Sequence, residues 1–600
     1  MEKNIYKRNE VPEELTWNLK DIYPDEAAWE KEIGEALKLA DEIAALDGHL
    51  AEKSENLLNA FRLYEKCVLL IDRFASYAMR MFDQDTGDSH SQGMRQRALT
   101  TDMQISEKLS FLEPEVLSIS EQTMAQYFKE QPGLDHFSNT INEIRRQKAH
   151  TLSKEMEQLL ASAGEITANP QQAFSMLNNA DLKFPTVKDP EGKEVQITNG
   201  RFVPLMESKD RNFRKAVFEA YYESYKSYKN TWAALYSGEV KARIFNAKAR
   251  KYPSAFEAAV DHNNVSPAVC DNLIKSVHKN MDKMHHYVRL RKKLLNLDEL
   301  HMYDIYPSIV SNFEMKVTYE EAKEISLKAL APLGEEYLSI VKRAYKERWI
   351  DVVENEGKRS GAYSAGVYGV HPYMLLNYND NLDNVFTLVH EMGHSMHTWY
   401  SDHAQSMLDS QYKIFVAEVA STTNEVLLFH YLMKNASSKE EKAYLLNHMM
   451  DSFKGTLFRQ TMFEEFERKT CSMAEEGIPL TADTMAELYL KLNEEYYGPE
   501  MVSDPLIAWE WCRIPHFYYN FYVYQYATSF SAAVAIAKRI LDEGEPYVKQ
   551  YLQFLSSGCT KDPVSLLKIA GIDLSTSKPI DDAMVVFEET IREMEELYGI

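Results

Sequence analysis

Helical periodicity is the feature of this sequence that most restricts its fold. Apolar residues return every three or four positions in 55–82, 208–228 and 437–458, which is the spacing that lines one face of an α-helix. Glycine and proline, which interrupt helices, number only 22 and 20 among 600 residues. The sequence therefore predicts a mainly α protein built from long helices and short loops.

Polar residues at the starts of these segments predict where helices begin. Ser208 is the first residue of the second segment and is expected to cap its helix. Ser438 stands three residues before Glu441, which is the spacing of a capping box, in which two side chains satisfy backbone N–H groups reciprocally. Helices are therefore expected to begin just after Ser208 and Ser438.

Two segments break the helical period. Residues 184–204 hold the turn signal DPEG between β-prone runs and predict a hairpin. Residues 361–378, rich in Gly, Tyr and Val, predict a pair of strands beside the helix that follows. Because 600 residues exceed one ordinary core, we expect two lobes, with a boundary at the hairpin. The predicted division is an N-terminal helical lobe, 1–204, and a catalytic region, 205–600.

Charge and cysteine content restrict the partners and the cellular setting. The chain has 91 acidic and 67 basic residues, a net charge of −24, without a Lys/Arg-rich run, so neither nucleic acid nor an anionic membrane is expected as a partner. It has no signal-like start and no apolar run of about 18 residues. Its five cysteines are scattered and form no CxxC pair, which favours a reduced, cytoplasmic setting.

The stretch VFTLVHEMGHSMHTWY, residues 385–400, concentrates groups that handle protons or metals. Asp383 is the expected N-cap of its helix. His390 and His394, four residues apart, share one face of that helix, and Glu391 lies about 60° from His394. This is the H-E-x-x-H arrangement, in which two imidazoles bind zinc and the glutamate is the general base for a water at the metal. The alternative is a chance match on an ordinary helix.

A catalytic zinc needs a third protein ligand. His397 is near in sequence but lies about 10 Å along the helix axis from His390, which favours packing or a role behind the ligands. In 411–433, an otherwise apolar helix, Glu418, Thr422 and Glu425 form one stripe. A buried carboxylate is costly unless it is paired or bound to metal, so Glu418 is the predicted ligand and Glu425 is predicted to orient a histidine. The alternative is that the stripe faces solvent.

The block HEMGHSMH, followed 24 residues after His394 by Glu418 in FVAEVASTTNE, resembles the thimet-oligopeptidase family of zinc peptidases, and within it the oligoendopeptidase F group. The likeness extends from 10–32 through the approach to the motif to 458–467 and 514–533. It implies a mostly helical, two-lobed protein with one zinc ion at the bottom of a deep channel. It also implies endopeptidase action on short peptides.

The segment IPHFYYNFYVYQYAT, 514–528, is expected to serve the transition state, in which negative charge builds on the carbonyl oxygen of the substrate. His516, Tyr519, Tyr522 and Tyr526 recur at helical intervals. The resemblance implies catalytic roles for His516, Tyr522 and Tyr526, with Tyr519 binding substrate. This chain departs from the mammalian-type pattern by one extra residue after His516 and by Ser529 or a neighbour in place of a further tyrosine. The alternative is an aromatic packing face.

Three functions follow from these residues. The first is a zinc endopeptidase for oligopeptides. The second is an exopeptidase, such as a zinc carboxypeptidase of the same helical class. The third is a binding scaffold with a structural zinc, for which His397 is the one nearby candidate for a fourth ligand. If the strand in PYMLLNY, 372–378, has an open edge, an extended peptide can pair with it, which predicts peptides of roughly 6–20 residues as substrates. The oligomeric state is left open.

Overall fold

Helices make up most of the chain in the computed structural model, which describes residues 5–310, 313 and 315–600 apart from the side chain of residue 154. The mainly α fold predicted from periodicity is confirmed. In chain order the α-helices are α1 (Glu26–Ala44), α2 (Ser54–Asp83), α3 (Ser89–Leu109), α4 (Leu112–Ser118), α5 (Glu121–Glu130), α6 (Ser138–Arg146), α7 (Lys154–Thr167), α8 (Asn169–Met176), α9 (Asn199–Met206), α10 (Arg211–Lys226), α11 (Lys229–Ala249), α12 (Ala255–His262), α13 (Pro267–Lys279), α14 (Met281–Leu294), α15 (Tyr319–Ala329), α16 (Gly334–Lys346), α17 (Leu382–Ala404), α18 (Ile414–Asn435), α19 (Lys439–Ser452), α20 (Arg459–Glu475), α21 (Ala482–Tyr497), α22 (Tyr524–Glu543), α23 (Glu545–Leu555), α24 (Pro563–Ile569) and α25 (Lys578–Tyr598).

The strands are short and form three small sheets. They are β1 (Thr186–Lys188), β2 (Glu194–Gln196), β3 (Leu300–His301), β4 (Ile350–Asp351), β5 (Tyr363–Ala365), β6 (Tyr373–Leu375) and β7 (Met501–Val502). β1 and β2 are the predicted hairpin, antiparallel around the DPEG turn, and β3 pairs with β7 in parallel. The third sheet has the order β4-β6-β5. Its antiparallel pair, β5 and β6, is the strand pair predicted beside the motif helix.

Two helix starts show how far local signals reach. Ser438 caps α19 as predicted, because its side chain accepts from the backbone N–H of Glu441 at 3.1 Å. The Glu441 carboxylate, however, accepts from the backbone of Ser437, so the reciprocal half of the box is not formed. The predicted cap at Ser208 is wrong, since Asp210 caps α10.

The chain divides into two compact units, each assembled from three stretches. One unit comprises 1–149, 314–431 and 536–572, and the other comprises 150–313, 432–535 and 573–600. We call them unit 1 and unit 2. The division predicted after residue 204 was placed at the hairpin and stays a prediction. Within the described part of the chain, no helix is both long enough and apolar enough to cross a membrane.

Unit 1 has a core shared by its first helices and the three-stranded sheet. Buried residues of α1 to α3, such as Ile33, Leu57 and Ile105, belong to one cluster with Tyr373 and Leu375 of β6. The sheet is therefore packed on its helical neighbours by apolar burial, which is the main stabilising term in folding. The packing fixes β6 in the core of unit 1, shortly before α17 begins at Leu382.

β6 is the central strand of that sheet, which corrects one prediction. It pairs in parallel with β4, through Ile350 and Met374, and antiparallel with β5, through Ser364 and Met374. The condition for peptide pairing at PYMLLNY, an open strand edge, is therefore not met at β6. The strand beside the motif helix with a free side is β5, since among the described residues β6 is its one strand partner.

Candidate metal centre

The helix that carries the H-E-x-x-H motif, α17, has its N-cap two residues earlier than predicted. Asn381 is the N-cap, and its side chain accepts from the backbone N–H of Asn384 at 2.8 Å. Asp383 lies inside the first turn, so its predicted capping role is wrong. This start places Leu382, which is buried, in the first turn. The motif lies within a helix as expected, with Met392 turned into the core.

Gly393 is the point at which α18 approaches α17. A Cβ atom at this position would lie 2.5 Å from Cα of Ser421 and 2.6 Å from the carbonyl oxygen of Ala420. Real Cβ atoms do not come so close to backbone, so only glycine fits between these helices. The close approach brings Glu418 of α18 to the face of α17 that carries the two histidines.

Three side chains of these helices converge on one point. Nε2 of His390 lies 3.2 Å from Nε2 of His394, and the two nitrogens lie 3.4 and 3.5 Å from Oε2 of Glu418. In a tetrahedral zinc site with bonds of about 2.0–2.1 Å, neighbouring ligand atoms stand about 3.3–3.4 Å apart. The three separations match the edges of such a tetrahedron. Among the described residues, this is the group able to hold a metal ion.

Charged neighbours surround the three ligand atoms. Oε1 of Glu425 lies 2.5 Å from Nδ1 of His390, so that ring presents Nε2 toward the other ligands. Burial opposes protonation of His390, but Glu425 and Glu418 raise its pKa well above the ordinary value. Burial acts against ionised Glu418 as well, and the two imidazoles outweigh it and lower its pKa. The two glutamates thus favour positive charge at His390, and the two histidines keep Glu418 ionised. Ionised carboxylates at this point favour the binding of a cation.

Glu391 lies in a different environment from Glu418 although both are carboxylates near the histidines. Glu391 is buried, and burial raises its pKa, while His390 and His394 act in the opposite direction. It does not belong to the group of three converging ligand atoms. A carboxylate that is buried near the metal position without ligating it is free to accept and release a proton.

His397 is a packing residue in this structure. Its ring is 1% exposed, stacks on Tyr412 with centroids 3.7 Å apart, and contacts Phe554 at 5.4 Å. Burial, together with the nearby His394, lowers its pKa to about 3, so the ring is neutral at ordinary pH. Nδ1 has no hydrogen-bond partner among the described residues. His397 therefore does not join His390, His394 and Glu418 as a fourth ligand of a structural site.

The aromatic residues after Pro515 come together in unit 2, but not on one helix as their spacing suggested. Residues Pro515–Tyr518 form a 3₁₀ turn, and α22 begins only at Tyr524. The ring of His516 nevertheless lies 5.6 Å from Tyr519, 6.4 Å from Tyr522 and 5.9 Å from Tyr526, centroid to centroid. Burial lowers the pKa of His516. The four predicted residues thus form one cluster, built by a folded turn.

One contact beside the metal group could not be predicted from the sequence. Oγ of Ser364, on β5, lies 2.8 Å from Oγ of Ser395, the residue after His394. A Cβ at Gly366 would also lie 2.4 Å from Cγ2 of Thr398, so β5 runs directly against α17. Serine is common on protein surfaces, so neither Ser364 nor Ser395 stands out in the sequence as a contact residue. The free side of β5 therefore lies beside the helix that carries the histidines.

We expect Gly393→Ala to lower both thermal stability and zinc content. The added methyl group forces α17 and α18 apart, which costs about 1–3 kcal/mol as overpacking and moves Glu418 away from the histidines. Melting temperature and bound zinc per chain are the two measurements. The matched control is Gly34→Ala in α1, where a Cβ meets nothing within 4 Å. Unchanged zinc and stability in Gly393→Ala would contradict the close approach.

Two helices of a mainly helical fold thus present a His-His-Glu group, which is the ligand set of several zinc metallopeptidases. A family model described as peptidase family M3 matches residues 204–586, and one described as oligopeptidase F matches 115–184. The chain belongs to peptidase family M3, within its oligoendopeptidase F group, and is a peptidase. The resemblance stated from the motifs is confirmed.

Relatives match over nearly the full length. Oligopeptidase PepF of Bacillus subtilis (strain 168) is 47% identical over 590 residues, which cover 98% of this chain and 88% of that protein. The crystal structure of oligoendopeptidase-F from Enterococcus faecium has a TM-score of 0.74 at 38% identity and covers 96% of this chain and 99% of its own. The crystal structure of a peptidase from Chlamydophila abortus has a TM-score of 0.92 at 35% identity. The match covers 99% of this chain and 100% of that chain.

Proposed function

We propose that this chain is a zinc-dependent endopeptidase that hydrolyses internal bonds of short peptides. The observation that carries the proposal is the set of three separations among His390, His394 and Glu418, which match one tetrahedral zinc ion with a fourth position left for water or substrate. When bound, zinc polarises the substrate carbonyl and acidifies a water molecule. The relatives named as oligopeptidases support oligopeptides as the substrate class.

Glu391 is the general base in this proposal. Its carboxylate accepts a proton from the attacking water and delivers that proton to the amine that leaves. Its neighbour Glu425 has a different task, since a hydrogen bond at Nδ1 fixes the orientation of His390 and favours the tautomer with a free Nε2. The two glutamates beside the ligands thus divide proton transfer from ligand positioning.

His516 and the tyrosines are proposed to act on the charge that develops on the carbonyl oxygen. A histidine N–H and a phenol O–H are donors able to stabilise an oxyanion. The support is the resemblance together with the observed clustering of His516, Tyr522 and Tyr526. Tyr519, which is 49% exposed, is proposed to contact substrate rather than the reacting atoms.

We expect His516→Ala and Tyr526→Phe to lower kcat more than they raise KM, because their hydrogen bonds strengthen in the transition state. Loss of one such donor typically costs about 10²–10³-fold. Steady-state kinetics with a quenched-fluorescence peptide measures kcat and KM separately. Tyr519→Phe is the control, in which KM is expected to change and kcat is not. A pure KM effect in His516→Ala would make that residue a substrate binder.

The free side of β5 is the proposed site for the substrate backbone. Extended peptides add to exposed sheet edges through main-chain hydrogen bonds, so the sequence preference is expected to be broad. β5 is suited to this because it is held against α17 through Ser364 and Ser395. This replaces β6, whose two sides are both paired.

We expect the enzyme to cleave peptides of roughly 6–20 residues that are blocked at both ends, and to leave folded proteins intact. An exopeptidase, the alternative of the same helical class, needs a free terminus, so mass spectrometry of the products separates the two. The upper length rests on the channel that the family resemblance implies. An unfolded casein-like chain that contains the same cleavage sequence, in competition with the short peptide, tests it. Comparable kcat/KM for both would remove the length limit.

Two other proposals concern the whole chain. A catalytic region beginning near residue 205 is supported by the family M3 match, which starts at residue 204. A cytoplasmic setting is supported by the unpaired state of Cys67, Cys270, Cys471, Cys512 and Cys559. Fractionation of cells that produce the protein tests the second proposal.

A further inference from the structure

The turn between His516 and α22 has an unusual backbone. Asn520 and Phe521 both have positive φ angles, 51° and 56°. Asparagine tolerates this left-handed conformation, but an aromatic residue rarely adopts it, so the turn needs support from its surroundings. Because His516 and Tyr522 flank these residues, whatever holds the turn also sets the position of both side chains.

The support comes from one buried arginine of α11. Nη2 of Arg243 donates to the carbonyl oxygen of Phe517 at 2.6 Å, at the start of the turn. Nη1 donates to Oε1 of Glu467 at 2.9 Å, and the same oxygen accepts the backbone N–H of Phe521 at 3.4 Å. The guanidinium also lies over the Phe521 ring, 5.3 Å from its centroid. Arg243 and Glu467 therefore hold both ends of the turn.

The arginine itself is firmly placed. Its third nitrogen, Nε, donates to Oε1 of Glu239 one turn earlier on α11, at 3.1 Å. Arg243 and Glu467 are both buried, so water does not compete for these hydrogen bonds. Glu467 belongs to FRQTMFEEFE, 458–467, a block of the sequence that the zinc chemistry leaves without a role. The planar fork of arginine reaches three partners at once, which a lysine ammonium does not do in the same geometry.

We propose that Arg243 and Glu467 are positioning residues for catalysis, which hold the strained turn so that His516 is presented in its productive orientation. The inference rests on the proposed role of His516 and deepens it. Neither residue is assigned contact with substrate or metal. Their effect is transmitted through Phe517 and Phe521.

A double-mutant cycle with His516→Ala tests the proposal. In the wild-type background, Arg243→Lys is expected to lower kcat by about 10- to 100-fold with zinc content and KM nearly unchanged, because a displacement of about 1 Å has effects of that size. In the His516→Ala background, the same change is expected to cost less than about 3-fold, because the residue through which it acts is gone. Arg243→Gln, which removes the buried charge, is measured in the same cycle in case the lysine variant folds poorly.

Arg214→Lys is the matched control. Arg214 is also a buried arginine of unit 2 that holds a carbonyl oxygen, that of Tyr303 at 3.1 Å, and a carboxylate, that of Asp304 at 2.6 Å. It is expected to lower the melting temperature without a coupling to His516. Equal losses from Arg243→Lys in both backgrounds would overturn the positioning role and leave a general stability effect. Full activity of His516→Ala alone would instead overturn the proposed role of His516.

Discussion

Glu391→Gln is expected to keep one zinc ion per chain and to lose nearly all turnover. The amide has nearly the same shape as the carboxylate but cannot accept a proton at neutral pH. General-base contributions are about 10²–10⁴-fold in rate. Because Glu391 stands outside the three converging ligand atoms, its replacement leaves the donor set for zinc intact.

Two measurements decide this prediction: metal analysis of the purified variant, and kcat on a doubly blocked peptide. Glu347→Gln is the matched control in unit 1, since that glutamate pairs with Arg343, 3.1 Å away, and takes no part in the site. It is expected to keep full turnover. Loss of zinc in Glu391→Gln would reassign Glu391 as a ligand, and retention of both zinc and turnover would remove it from the chemistry.

The second large effect concerns the ligand series. His390→Ala, His394→Ala and Glu418→Ala are each expected to abolish stoichiometric zinc binding, because a zinc ion left with two protein ligands is bound far more weakly. Glu425→Ala is expected to weaken binding by roughly 10–100-fold, since it removes the hydrogen bond that orients His390. Equilibrium dialysis against a zinc-buffered solution measures all four.

His397→Ala completes that series as an internal control. It removes a buried ring stacked on Tyr412, so we expect a lower melting temperature with zinc affinity near that of the unmodified chain. Zinc affinity is therefore expected to fall most in the three ligand variants, less in Glu425→Ala and least in His397→Ala. Zinc retained in Glu418→Ala but lost in His397→Ala would invert the assignment of the third ligand.

The His-His-Glu group could be predicted from the sequence because its signals are local or energetic. His390 and His394 lie four residues apart on one helix, so their common face follows from the helical period alone. Glu418 was found because a carboxylate in an apolar helix requires a partner. Neither inference needs the relative position of distant elements, which the sequence alone does not specify.

The errors have a common physical origin in tertiary packing. Asn381 and Asp383 are both good capping residues, and the helix starts at the one that places the buried Leu382 in its first turn. The spacing of His516 and Tyr526 imitates a helix, while Asn520 and Phe521 break it with positive φ angles.

Long-range pairing accounts for the rest. β4, which covers one side of β6, has two residues and no period of its own. Arg243 meets Phe517 across 274 positions of the sequence, and nothing near either residue announces that contact. Such partners become visible only when the folded chain brings them together.

Zinc titration of the metal-stripped protein is the measurement that tests the central claim most directly. If His390, His394 and Glu418 hold the one ion required for peptide hydrolysis, activity on a doubly blocked peptide is absent after chelation. It then rises linearly with added zinc and reaches its plateau at one ion per chain. Full activity in the stripped protein, or the same plateau at one ion per chain in Glu418→Ala, would contradict the account.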